Sequence, residues 1–257
     1  MKICKLIICG LLLTFTCFSQ EKKETFKGGE WLRYKMSYSG FFRAGTAVLE
    51  LKETNLNGEK VFYSKGTGWT SGLLKWFFKV DDVYESYFDK GPVKPILFKR
   101  KINEGGYKKH RITKFDYTSN TAYIQDFKNQ KDTSVVFSKV QDMLSSFYYL
   151  RKQDAKTLKK GDELAIDMFM DSQVYPFKLR FLRKEVIKTK FGKVKCLVFR
   201  PLVQSGRIFK AEESVTLWIT DDANKVPIKM KADLAVGFLR AELEAYKGLA
   251  NNFKRAD

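Results

Sequence analysis

In residues 31–38, WLRYKMSY, the side chains of Leu32, Tyr34, Met36 and Tyr38 fall on one side of an extended chain and Arg33, Lys35 and Ser37 on the other. Successive residues of a β-strand point to opposite faces, so this period of two describes a strand with one dry face and one wet face. The pattern recurs along the chain. In TAVLELK, Ala47, Leu49 and Leu51 oppose Thr46, Val48, Glu50 and Lys52, and in VYESYF, Tyr84, Ser86 and Phe88 oppose Val83, Glu85 and Tyr87. ELAIDMFM sets Leu164, Ile166, Met168 and Met170 against Glu163, Ala165, Asp167 and Phe169, and YPFKLRF aligns Tyr175, Phe177, Leu179 and Phe181. The last two runs align Val226, Ile228, Met230, Ala232 and Leu234, then Leu239, Ala241, Leu243 and Ala245. Strands of a parallel sheet are apolar on both faces, so alternation selects an antiparallel sheet.

Turn chemistry falls between these runs. Asn57-Gly58, Asn103-Glu104-Gly105-Gly106, Lys160-Gly161-Asp162, Phe191-Gly192-Lys193 and Asp221 to Asn224 have the residues of hairpin connections. Roughly a dozen or more strands so connected predict a mostly all-β chain, an antiparallel meander forming a barrel, half-barrel or sandwich. Two stretches break the alternation. In QDMLSSFYYLRK, Met143, Phe147 and Leu150 recur at helical spacing behind Asp142, a residue suited to capping a first turn, which predicts one amphipathic helix over 141–152. It would plug the mouth of a barrel or pack on an open sheet. The other stretch, GWTSGLLKWFFKVDD from Gly68 to Asp82, crowds Trp69, Leu73, Leu74, Trp76, Phe77 and Phe78 together around Gly72. A short helix or an apolar loop fits it. Such aromatic density reads first as core; its functional alternative is a lid or membrane-touching tip over a hydrophobic cavity.

Residues 1–19 carry Lys2 and Lys5, an apolar run from Leu6 to Phe18 and a small residue before Gln20, the build of a secretory signal peptide too short to span a bilayer. Residues 20–257 then form one antiparallel β domain, with 20–140 and 141–257 as alternative halves sharing a sheet. Cleavage also removes Cys4, Cys9 and Cys17, leaving Cys196 in an apolar run where a buried, inert thiol is expected. Lipidation at Cys17 fits poorly, because Thr16 and Thr14 stand where a lipoprotein site has a small residue and Leu. The full chain has 48 Lys+Arg against 29 Asp+Glu, a net charge of +19 that falls by two with the leader. Such a field attracts anionic surfaces and polymers. No zinc-ligand spacing, RNA-binding aromatic signature or helix-turn-helix pattern accompanies it, so lipid headgroups, lipopolysaccharide or acidic glycans are the expected anions and nucleic acid is not. Much of the charge also suits a solvated sheet face.

Catalytic chemistry has little to stand on. His110, alone of its kind, sits in YKKHRITKF without a local acid, and no G-x-S-x-G elbow occurs. One histidine and one mature cysteine far apart do not make an ordinary closed metal site. Asp81, Asp82 and Glu85 form the tightest acidic group and are the candidates for a glycosidase-type pair. No catalytic residue, metal or cofactor is therefore assigned.

The opening GEWLRYKMSYSGFFRAGTAVLEL resembles the start of an exported bacterial family known as domain of unknown function 3108. The match rests on Gly29, Glu30, Leu32 and Tyr34, on the Ala44-Gly45 pair, on VDDVYESYFD (80–89), Pro95, VQDMLSSFYYLR (140–151) and Lys160 to Asp162, and on LWITDDANKVPIKMKADLAVGFLRAEL (217–243). The resemblance implies export and antiparallel β content, and brings no catalytic residue, cofactor or substrate. The site before Gln20 is similar to those of Bacteroidetes-type bacteria, which implies a periplasmic destination, at the outer-membrane periphery if the chain meets that membrane. The expected function is a non-enzymatic periplasmic binding or carrier module for a lipid-like, amphipathic anionic envelope ligand, with Trp69, Leu73, Trp76, Phe77, Phe78 and Tyr84 lining its site. A structural protein docking on envelope components and a carboxylate-dependent glycan hydrolase are the alternatives.

Overall fold

The structure, a computed structural model, describes residues 23–40, 42–72, 74–202, 214–234 and 236–256; the signal segment and Leu73 lie outside the described residues. The first half of the chain lays down β1 (Trp31–Tyr38), β2 (Phe42–Leu56), β3 (Glu59–Thr70), β4 (Asp81–Asp89), β5 (Pro95–Glu104), β6 (Tyr107–Asp116), β7 (Thr121–Asp126) and β8 (Lys131–Val136), with a single-turn helix α1 (Leu74–Phe77) before β4. After helix α2 (Met143–Lys152) follow β9 (Glu163–Met170), β10 (Gln173–Thr189), β11 (Gly192–Leu202), β12 (Val215–Thr220), β13 (Pro227–Asp233) and β14 (Phe238–Lys247). All fourteen strands belong to one antiparallel sheet in which sequence neighbours pair, except that β1 and β14 join in the middle and β8 and β9 are the two edges.

The sheet curls without closing. The chain between its edges patches the gap: the Gln141 N–H donates to the Asp167 carbonyl and the Phe169 N–H to the Gln141 carbonyl, both at 2.8 Å. Phe169 meets the Phe115 ring edge-on at 5.4 Å. Asp171, in the β9–β10 turn, receives Arg100 at 2.7 Å and also Lys109 from the opposite wall. The alternation read from sequence holds on β4, where Asp82, Ser86 and Phe88 are buried on the concave face. On β11, read as an apolar run, both faces are buried: Leu197 and Phe199 face one core cluster and Val194, Cys196 and Val198 another. The Lys160 to Asp162 turn leads into β9 and does not join two strands; its backbone pairs with Phe181.

Helix α2 fills the concave side. Asp142 is its N-cap: Oδ1 accepts the Leu144 and Ser145 N–H groups at 2.8 Å, Oδ2 accepts the Ser86 hydroxyl at 2.5 Å, and the Ser145 hydroxyl accepts the Asp142 N–H. This reciprocal arrangement satisfies donors that the buried helix end would otherwise leave orphaned. Leu144 lies against Gly66 of β3, and Tyr148, fully buried, packs on Phe26 and Phe88. At the far end of α2, Arg151 grips Glu30 with two parallel bonds of 2.6 and 2.7 Å, and its Nε donates to the Asn224 carbonyl at 3.1 Å. Both side chains are about 1% exposed, and the Phe26, Phe147 and Tyr148 rings surround the guanidinium. Burial works against the charge of Arg151, and Glu30 beside it more than restores it, so its pKa lies above the ordinary arginine value.

Breaking such a pair from one side strands a charge in the core. Arg151→Met is expected to cost about 3–5 kcal/mol in urea unfolding, with much of that loss recovered in the Glu30→Leu/Arg151→Met double variant. Burial also pushes the Asp142 carboxyl up to about 6, against the lowering effect of the Ser86, Leu144 and Ser145 donors. An unfolded aspartate titrates near about 3.9. Between these values the native chain holds the extra proton, so the Asp142 contribution is fully present at the acid end and is lost as pH rises through about 6. Asp142→Asn keeps an acceptor for the cap and removes the titration. The stability of the variant relative to wild type is expected to rise by about 2–3 kcal/mol between pH 4 and 7, and a pH-independent difference would contradict the assignment.

Candidate functional site

The described parts of the hairpin tips, at 39–40, 71–72 with 74–80, 105–106, 127–130, 171–172 and 236–237, all lie at the end of the curled sheet opposite the Glu30–Arg151 pair, as the strand directions and registers require. Segment 71–80 is the longest of these among the described residues and rises from a fixed base. The Thr70 N–H donates to the Val80 carbonyl at 3.2 Å, the Val80 N–H donates to the Thr70 hydroxyl at 3.0 Å, and the Gly105 N–H donates to the Lys79 carbonyl at 2.9 Å. Two glycines permit the geometry. A Cβ on Gly45, from the Ala44-Gly45 pair, would stand 2.4 Å from the Trp69 carbonyl oxygen. Gly105, with φ of +52°, lies so close under Phe78 that a Cβ would stand 2.4 Å from the ring.

Above that base the aromatic residues point outward. Trp76 is 87% exposed, Phe77 85%, Phe78 49% and Trp69 40%. Their expected place in the core is therefore corrected. β3 and β4 stay paired up to Trp69 and Asp81, so the segment projects beyond the sheet, while α2 and the Phe26–Phe62–Phe88 cluster already occupy the concave interior. Phe42, Tyr107, Phe127 and Val236, exposed on neighbouring tips, join the same end. None of these four was picked out from sequence. Their signal was available only by counting strands to find which hairpins share an end. Tyr84, grouped with the tip in the sequence reading, is separate from it: half-buried on the concave face of β4, it has the Arg100 guanidinium 5.9 Å from its ring, and burial raises its pKa to about 12.

The carboxylates divide by the same alternation. Asp82 turns inward and accepts the Asn103 N–H at 2.9 Å, whereas Asp81 and Glu85 turn outward and Glu85 accepts the Tyr63 hydroxyl at 2.5 Å. The three do not face one another across a groove. The nearer acid neighbour of Asp82 is Glu104, whose pKa is raised by a hydrogen bond to Asp82 and by burial. The Cys196 thiol is buried and pushed up to about 12 by that burial, far from a reactive thiolate.

Several clefts open on the surface of the described residues, three of which bear on the site. One of about 550 Å³ lies at the seam beside α2, among Tyr117, Tyr149, Val140 and Ile166. Another, of about 260 Å³, lies between β10 and β14 with lysines and glutamates interleaved. The third, of about 490 Å³, adjoins the aromatic end on the outer wall of β4–β7.

Residues 33–244 match the model of the family described as protein of unknown function (DUF3108), and the chain belongs to that family. Its fold is similar to a β-barrel-like protein of domain of unknown function DUF1849 from Brucella abortus, at a TM-score of 0.58 and 12% identity over 86% of this chain and 98% of that one. Weaker likenesses are a candidate lipoprotein from Parabacteroides distasonis (TM-score 0.33, 11% identity, 89% and 100% covered) and a candidate exported protein with a YmcC-like fold from Bacteroides fragilis (TM-score 0.31, 8% identity, 86% and 97% covered). No protein of curated function matches the chain significantly.

Placing the aromatic tip outside the core has a direct consequence. Trp76→Ser with Phe77→Ser is expected to change the unfolding free energy by less than about 0.5 kcal/mol each, while Phe88→Ala costs about 3–5 kcal/mol. Loss of several kcal/mol from the tip pair would return the segment to the core.

Proposed function

We propose that this protein is a non-enzymatic exported module that engages anionic lipid, docking on a membrane surface through the aromatic and basic end of its curled sheet. The observation that carries the proposal is the company kept by Trp76 and Phe77: large apolar side chains stand almost free of the protein at one end, with Lys75 and Lys79 in the same segment and Lys101, Lys108 and Lys128 in the outer-wall groove at that end. Contiguous exposed apolar surface rimmed by polar groups marks an interaction site. Aromatic rings with cationic neighbours suit the boundary between headgroups and acyl chains, where rings bury and ammonium groups meet phosphate. Two rings burying roughly 150–250 Å² each, at about 25 cal/mol per Å², supply several kcal/mol, and the lysines add an attraction that salt screens. No helix among the described residues is long and apolar enough to cross a membrane. The interior being occupied by α2, the amphipathic ligand meets the outside of this end.

Co-sedimentation with phosphatidylethanolamine–phosphatidylglycerol vesicles tests this. Wild type is expected to bind, to shift its tryptophan emission to the blue, and to lose most binding at about 1 M salt, where the Debye length is about 3 Å. The Trp76→Ser/Phe77→Ser variant is expected to bind at least about tenfold more weakly. Equal binding by wild type and variant, or binding only to peptidoglycan or to a soluble polymer, would overturn the proposal.

A further inference from the structure

We infer that the outer-wall groove beside the aromatic end is a phosphate subsite, which deepens the docking proposal, and rests on it, by naming the headgroup chemistry that the docked protein reads. The groove, of about 490 Å³, is lined by Lys101, Lys108, His110, Phe127 and Lys128, with Asp81 as its acidic member. Strand register builds it. Val83 pairs with Lys101 and Lys101 with His110, and directly opposed residues of antiparallel strands share a face about 4.5–5.5 Å apart. Asn103 pairs with Lys108 one step closer to the tip, and the Phe127 N–H, donating to the His110 carbonyl at 2.9 Å, brings Phe127 and Lys128 alongside. The Phe127 ring stacks on the His110 imidazole at 4.7 Å and 25°, which fixes the ring and its nitrogens at the groove wall.

The two faces of this wall treat positive charge differently. On the concave face, Arg100, Lys109 and Arg111 are neutralised by Asp171 and Asp126. On the outer face no carboxylate among the described residues lies within ion-pairing distance of Lys101, Lys108 or Lys128, and the Lys128 ammonium has only the Tyr107 ring, 5.5 Å away. Cationic groups drawn around one concavity repel one another, and a tetrahedral dianion with several acceptor oxygens relieves that repulsion while taking charge-assisted hydrogen bonds. Position supports the same chemistry. The β5–β6 hairpin that forms one lip of the groove also carries Gly105, on which Phe78 rests, so a phosphate in the groove lies one side chain away from the rings that would enter the acyl region.

The test separates this site from the docking surface. Inorganic phosphate and glycerol 3-phosphate are titrated by NMR at constant ionic strength into the mature protein, its Lys101→Gln/Lys108→Gln variant and its Trp76→Ser/Phe77→Ser variant. Saturable, mutually competitive binding in the millimolar range is expected, weakened about tenfold in the lysine variant and unchanged in the tip variant. Shifts no larger than those from matched chloride, or equal affinity in wild type and lysine variant, would overturn the subsite. In a second arm, vesicles containing phosphatidic acid are compared with vesicles of equal charge density containing oleate. Preference for phosphatidic acid that disappears in the lysine variant supports a lipid headgroup as the source, and binding without preference contradicts it while leaving docking intact. Solution binding of glycerol 3-phosphate with no vesicle binding at all would keep the subsite as one for a free phosphorylated solute and end the docking proposal.

Discussion

The bidentate contact between Arg151 and Glu30 organises the molecule. It joins three pieces of chain remote in sequence: the segment before β1, the last turn of α2, and, through the Asn224 carbonyl, the β12–β13 connection of the second half. A charge pair this deep contributes little net stability over an apolar substitute, because both ions lose their water. What it imposes is position. Once α2 is anchored at Arg151 and capped at Asp142 through Ser86 of β4, the helix lies along the concave face of β3 and β4 with Leu144 and Tyr148 in the core. The sheet then has a built-in filler and can stay open at the β8–β9 seam without leaving its inner face wet.

That filler decides where a ligand can be met. Burial of Phe26, Phe62, Phe88 and Tyr148 against one another closes the anchored end, and at the other Asp171 ties the β9–β10 turn to Arg100 of β5 and Lys109 of β6. Apolar residues of the 71–80 segment have no interior left to enter. They remain outside, at the end where lysines of the outer wall also lie uncompensated, and the surface they form together is both apolar and cationic.

Much of this was legible in the sequence, and the rest was hidden for physical reasons. Period-two alternation in WLRYKMSY and VYESYF, with Gly-containing turns between such runs, predicted the antiparallel meander that the fourteen strands form. Asp142 before a helical pattern predicted the N-cap that is observed. The pairing of Glu30 with Arg151 spans 121 residues and leaves no local trace: Arg151 falls inside the matched residues 33–244, and Glu30 stands before them. Trp69 to Phe78 misled because composition says that rings avoid water when they can, and only the strand pairing shows that they project past the end of the sheet. The groove around Lys101 and His110 needed the β5–β6 register, which the Asn103–Gly106 turn sets but does not spell out.

The central claim, that α2 is a permanent part of the core and not a removable lid over a cavity, is tested most directly by native-state hydrogen exchange in the absence of lipid. Amides of Met143 to Arg151 are expected to exchange only through global unfolding, with the same free energy and denaturant dependence as the slowest amides of β3 and β4. Exchange of those helix amides through a local opening several kcal/mol below the global value would show that the interior can be vacated, and would contradict it.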